Sequence, residues 1–201
     1  MKRLARIGGA LYLVIIAIGL WGEMFVRGRL TTADAIRAHE SLWRAHIAAE
    51  LLLLICAIAL LAILYILFRP VNRDLAVLAV FFNIVAIAIE ANSTLSLIQA
   101  VLPSGSDVTT LALRTHANAF GVSLLFFGCF CIVIGILIYR SGFMAKTIGI
   151  LMAIAGVCYL INSFALIAAP PLAHVLFPAI LIPSFIGELS FALYLAIVGV
   201  R

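Results

Sequence analysis

An all-α polytopic membrane bundle of six transmembrane helices, both termini cytoplasmic, is the fold this chain predicts, and three observations carry it. The chain is 66% hydrophobic and 10% charged, whereas an ordinary soluble domain is about 45–50% apolar. Its apolar residues fall into runs of ~20 residues or more, the length of a helical span. Short loops rich in Pro, Gly, Ser and Asn separate the runs. Backbone groups in lipid must be satisfied internally, and the runs far exceed the ~10 residues of a barrel strand, so the spans are helices and a barrel is excluded.

The first span is expected over about 7–27. The opening Met1-Lys2-Arg3-Leu4-Ala5-Arg6 resembles a signal peptide, but the apolar run ends in Glu23, Arg27 and Arg29 without a small-residue cleavage site, so it reads as a retained span. Thr31-Thr32-Ala33-Asp34 then reads as a helix start by its capping residues. Residues 35–50 are polar but carry no breaker, which predicts a helix that begins outside the membrane and runs into a second span over about 42–68. Arg69-Pro70-Val71-Asn72-Arg73-Asp74 separates it from a third span over about 75–102, and Pro103-Ser104-Gly105-Ser106-Asp107 separates that from a fourth over about 111–139. Arg140-Ser141-Gly142 leads to a fifth span over about 147–168, and Pro170-Pro171 to a sixth over about 176–199. Pro178 and Pro183 are expected to kink that last helix ahead of Glu188. With no linker, low-complexity tract or convincing repeat, residues 1–201 form a single transmembrane domain.

The net charge of +5 comes from Lys and Arg scattered at the ends of apolar runs, without the basic stripe of a nucleic-acid-binding protein. Lys2, Arg3, Arg6, Arg69, Arg73, Arg140, Lys146 and Arg201 share one side; Arg27, Arg29, Arg37, Arg44 and Arg114 share the other. The positive-inside rule therefore places both termini in the cytoplasm. Cys56, Cys129, Cys131 and Cys158 all lie in apolar segments and read as small hydrophobes, with no metal or redox spacing among them.

Glu50, Glu90 and Glu188 stand inside apolar runs. A charge at the centre of a span costs at least ~2.5–3.5 kcal/mol, so each marks a candidate site. His39, Trp43, His46 and Glu50 are spaced by helical turns and share one face of the second span. At ~1.5 Å per residue Glu50 lies ~12 Å and Glu188 ~18 Å inward from the outer ends of their spans. Glu90, Asn92, His116, Asn118 and Asn162 fall in the same outer half, while the inner halves are aliphatic and aromatic. This convergence predicts an intramembrane polar pocket facing outward that binds a small molecule, a lipid head group or an ion, with membrane lipid as the surrounding partner and homo-oligomerisation left open.

Four uses of the pocket compete. A membrane-embedded metal-dependent enzyme, hydrolase or lipid-modifying, would hold zinc, iron or manganese on His46, Glu50, His116 and Glu188, with Glu90 or Glu40 as base. A proton-coupled small-molecule transporter would titrate the carboxylates, but the featureless inner half offers no second path. An amphiphile site would set a polar head among Arg44, His46, Glu50, His116 and Glu188 and a tail among Phe120, Phe126, Phe127 and Phe185. A structural protein would use the same groups as interhelical glue. Several residues have plainer readings: Glu40 and Arg44 as an interfacial ion pair, His39 and His174 as solvated, Trp21 and Trp43 as belt residues, and Gly121, Gly128 and Gly135 as a packing face.

Arg6 to Tyr12, Glu23 to Arg29, Glu40-Ser41-Leu42-Trp43-Arg44, Arg69 to Arg73, His116, Tyr139 to Phe143, Ile148 to Leu151 and Phe177 to Ser190 together resemble a bacterial family of membrane proteins known as domain of unknown function 4386. The resemblance spans nearly the whole chain. It implies a six-helix bundle in the bacterial inner membrane, no established activity, and Glu40, Arg44, Glu50, His116 and Glu188 as recurring polar positions. The family commonly carries a second histidine where this chain has Phe130 and an aspartate where it has Asn162.

Overall fold

A computed structural model describes residues 1–103, 105–176 and 178–200. Ser104, Phe177 and Arg201, and the side chain of His174, lie outside the described residues. The chain forms α1 (Lys2–Trp21), a π-helical turn (Gly22–Arg27), α2 (Ala33–Ala38), α3 (Glu40–Phe68), α4 (Arg73–Val101), α5 (Ser106–Ser141), α6 (Lys146–Ala168), α7 (Pro170–Leu176) and α8 (Leu181–Ile197). It is an all-α polytopic bundle, with no strand among the described residues. Among the described residues five helices are long and apolar enough to cross a membrane: α1 with its π turn, α3, α4, α5 and α6. Their outward faces carry Ile55, Phe81 and Leu111, each more than 60% exposed; apolar surface on that scale suits lipid.

The sixth apolar segment is shorter than its sequence suggests. α8 has 17 residues, ~26 Å of helix against the ~30 Å of a hydrocarbon core. The prolines are the reason, and they act at its start rather than as a kink within it. The N–H groups of Leu181 and Ile182 bond to the carbonyls of Pro178 and Ala179 in a turn, and Pro183 falls in the first helical turn, where a missing N–H leaves no intrahelical bond unmade.

The expected continuous helix from Thr32 into the second span is also divided. Thr32 does cap α2, its Oγ1 accepting from the Ala35 N–H at 3.3 Å. At His39, however, the backbone leaves helical geometry (φ −125°, ψ 39°), and α3 restarts at Glu40. The break lets α2 fold against α4 and α5 and bury Ile36 completely, where a straight extension would carry that side chain out into solvent.

Successive long helices run antiparallel. One end of the bundle gathers Lys2, the 68–73 turn, the 141–146 turn and the end of α8, where Arg6 donates to the carbonyl of Ile197; the other end holds Arg27 to Glu40. Gly142 makes the turn after α5 in the left-handed region, φ 70°, which glycine enters without a Cβ penalty. α5 and α6 approach closely at Gly128 and Gly156: a Cβ on Gly128 would lie 2.8 Å from the Gly156 carbonyl oxygen. The large core fills the half near the termini with Leu64, Phe68, Phe130, Leu137 and Phe191, and a smaller apolar cluster of Val26, Leu30, Ile36, Trp43, Leu97 and Ala112 closes the other end.

Candidate functional site

The polar side chains settle in two places along α1. The first lies at its far end. The i→i+5 turn over Gly22–Arg27, sealed by the Gly28 N–H on the Glu23 carbonyl at 2.8 Å, swings Arg27 into the bundle; such π turns are frequent at functional positions. Arg27 pairs with Glu23 at 2.8 Å, lies 3.9 Å from Oε1 of Glu50, and donates to Nε2 of His116. It also sits 5.6 Å over the ring of Phe120.

His116 is committed on both sides. A guanidinium only donates, so Nε2 accepts from Arg27, and Nδ1–H donates to the Ser93 carbonyl at 3.2 Å. The ring is therefore the neutral Nδ1–H tautomer. Glu90 joins from α4, within the field of both Glu50 and Arg27; Ser123 donates to the Ala86 carbonyl at 3.0 Å and lies 3.5 Å from Oε2 of Glu90.

His46 behaves differently. It is fully buried between Trp21 and Trp43, with ring centroids 6.0 and 6.1 Å away. Its Nε2 is 3.7 Å from Oε1 of Glu50, beyond hydrogen-bond distance, and among the described residues neither ring nitrogen has a hydrogen-bond partner; Nε of Arg27 is likewise buried and unpartnered. Such orphans are uncommon in native proteins, where most buried polar atoms are bonded. Gly22 makes the space, since a Cβ there would lie 2.8 Å from Nδ1 of His46.

An apolar layer covers this cluster on the side of α2. Trp43, Leu97 and Ala112 each stand about one helical turn beyond His46, Ser93 and His116 respectively. Trp43 is thus a core residue and not the belt residue its position suggested: its Nε1 donates to the Leu97 carbonyl at 2.9 Å, which removes the need for interfacial water.

The second place lies mid-helix. Glu188 of α8 accepts from Tyr12 of α1 at Oε2 (2.9 Å) and from Tyr159 of α6 at Oε1, so each carboxylate oxygen has its own phenol. Tyr12 precedes Gly22 by ten residues, ~15 Å along the axis, and the two places are distinct.

Sequence-predicted residues divide accordingly. His46, Glu50, Glu90 and His116 converge. Glu188 stands apart with its tyrosines. Glu40 and Arg44 form an exposed pair at 2.7 Å on the start of α3, Asn92 and Asn118 are exposed, and Asn162 is buried in α6. The four residues expected to hold a metal do not surround one point: both His116 nitrogens are engaged, Glu188 is elsewhere, and His46 with Glu50 supplies only two ligands. Among the described residues no group of three or more His, Cys, Asp or Glu side chains has metal-holding geometry. Arg27, Tyr12 and Tyr159 were not anticipated. Tyrosine favours membrane interfaces, so two tyrosines in mid-helix were a readable request for a buried partner.

Fold and site together define a polytopic α-helical membrane protein with ionisable groups packed inside the bundle. The family model for a domain of unknown function, DUF4386, matches residues 7–199, and the chain belongs to that family. It is similar to an uncharacterized protein of Archaeoglobus fulgidus, 27% identical over 148 residues that cover 74% of this chain and 80% of that protein. No solved structure matches.

Proposed function

We propose that the protein binds a small polar ligand, a cation or the amine of a small molecule foremost, at the Arg27–His46–Glu50–Glu90–His116 cluster. In this reading the chain lies in the bacterial inner membrane with both termini in the cytoplasm, as its Lys and Arg distribution favours, and the cluster faces the outer leaflet beneath the α2 cover. One observation carries it: His46 is fully buried with both ring nitrogens unpartnered, 3.7 Å from the Glu50 carboxylate. A neutral imidazole offers one donor and one acceptor, and a guest bridging His46 and Glu50 supplies a partner to the Nε2 atom that faces the carboxylate. Glu23, Glu50 and Glu90 set three carboxyl groups around the one guanidinium of Arg27, so acceptor oxygens are in excess and a guest rich in N–H donors is favoured.

Structural glue describes Glu188 better, because the tyrosines already occupy both of its oxygens. The test is native mass spectrometry of protein purified in mild detergent, joined to thermal unfolding with a panel of small amines and monovalent cations. The expected result is a bound mass, or a rise in Tm with one panel member, that His46→Ala and Glu50→Gln abolish while the helical circular dichroism persists. Equal responses from wild type and both variants would overturn the proposal.

A further inference from the structure

We infer that a groove between α5 and α6, at the end of the bundle that carries the termini, binds an anionic phospholipid. The groove has a volume of about 330 Å³ and is lined by Gly135, Ile136, Tyr139, Arg140, Ile150 and Ala153 among others. Its origin is in the sequence. Gly135 and Gly149 let the two backbones touch, since a Cβ on Gly135 would lie 2.6 Å from the Gly149 carbonyl oxygen, and beside that contact the larger side chains of Ile136, Tyr139 and Ile150 wall a furrow along the helix seam. Its floor and walls are apolar, suited to an acyl chain.

The mouth is cationic. The left-handed Gly142 turn brings the end of α5 and the start of α6 together, so Arg140 and Lys146 stand exposed on either side of it. The Lys146 ammonium lies 5.1 Å over the ring of Tyr139, and that ring lines the groove. Among the described residues Arg140 has no ion-pair partner, and Asp74 is the one acidic residue at this end of the chain's long helices. A guanidinium and an ammonium above an apolar furrow match a lipid phosphate above its chains; basic pockets between spanning helices recognise anionic head groups in this way. The turn between α3 and α4 repeats the chemistry in a second cavity, of about 480 Å³, lined by Tyr65, Arg69, Pro70 and Arg73. Two hairpins at one end therefore present tyrosine with paired cations.

The test uses the whole chain in mild detergent, titrated with phosphatidylglycerol, phosphatidylcholine or glycerol phosphate and read by native mass spectrometry and Tm. Phosphatidylglycerol alone is expected to remain bound and to raise Tm. The double variant Arg140→Gln/Lys146→Gln should bind it roughly thirty-fold more weakly, the effect of about two cationic contacts. Ile150→Trp, which narrows the groove without changing charge, should also weaken it, whereas Lys2→Gln/Arg3→Gln should not. The inference is overturned if phosphatidylcholine binds equally, if glycerol phosphate alone reproduces the shift, or if the Lys2/Arg3 variant loses as much affinity as the Arg140/Lys146 variant.

Discussion

Arg27 and His116 meet inside the bundle, guanidinium donating to Nε2, and join the end of the first long helix to α5 across 89 residues of sequence. Because Arg27 also holds Glu23 and approaches Glu50, one side chain ties its own helix to α3 and α5. His116 passes the tie on to α4 through the Ser93 carbonyl.

Arg27→Ala is therefore expected to lower stability by about 1–3 kcal/mol, since His116 and Glu50 keep their burial and lose a partner. Arg27→Lys should recover only part of the loss, because an ammonium cannot reproduce the guanidinium's fork. Thermal unfolding in detergent checks both, and an unchanged Tm for Arg27→Ala would remove the tie from the account.

Tyr12→Phe and Tyr159→Phe each take a donor from a carboxylate oxygen of Glu188 and should cost about 1–3 kcal/mol apiece. Glu188→Met placed on the double phenylalanine background should restore much of that loss, since deleting both partners of a buried hydrogen bond is far cheaper than orphaning one. A background equally unstable with Glu or Met at position 188 would contradict the two-phenol arrangement.

Gly156→Val should destabilise by about 1–3 kcal/mol through overpacking, because a Cβ there would lie 2.9 Å from the Ile132 nitrogen. Gly105→Ala serves as the control, having no atom within 4 Å of its added Cβ. Urea or detergent unfolding of the two variants should separate them clearly.

Gly22→Ala tests the ligand site together with its packing. The added methyl presses on the buried His46 ring, so ligand-dependent shifts in Tm are expected to vanish, and the intrinsic Tm should also fall through overpacking, by about 1–3 kcal/mol of stability. A variant that retains the full ligand response would show that His46 does not line the binding space.

The bundle was legible in the sequence because lipid imposes long apolar runs and forces every break into a short polar loop. Thr32 announced its cap, and the acids and histidines of α3, α4 and α5 announced a shared depth. Depth is not direction, however. Glu188 reads as a member of the same set, but its face of α8 turns toward Tyr12 and Tyr159. Azimuth was hidden because these helices are apolar nearly all round, so no hydrophobic stripe tells the inward face from the lipid face. Arg27 was hidden for another reason: an arginine at the end of a span reads as an orientation signal, and only the π turn brings it inside.

That turn has a mechanical corollary. It accommodates one residue more than α-helical spacing would, and each residue of an α-helix spans ~100° of rotation. Rewinding Gly22–Arg27 to ordinary pitch would therefore rotate Arg27 by roughly that angle about the helix axis, unlatching it from His116 while the rest of α1 stayed seated. The pitch of six residues at the tip of one helix thus decides whether the buried histidine keeps its cation.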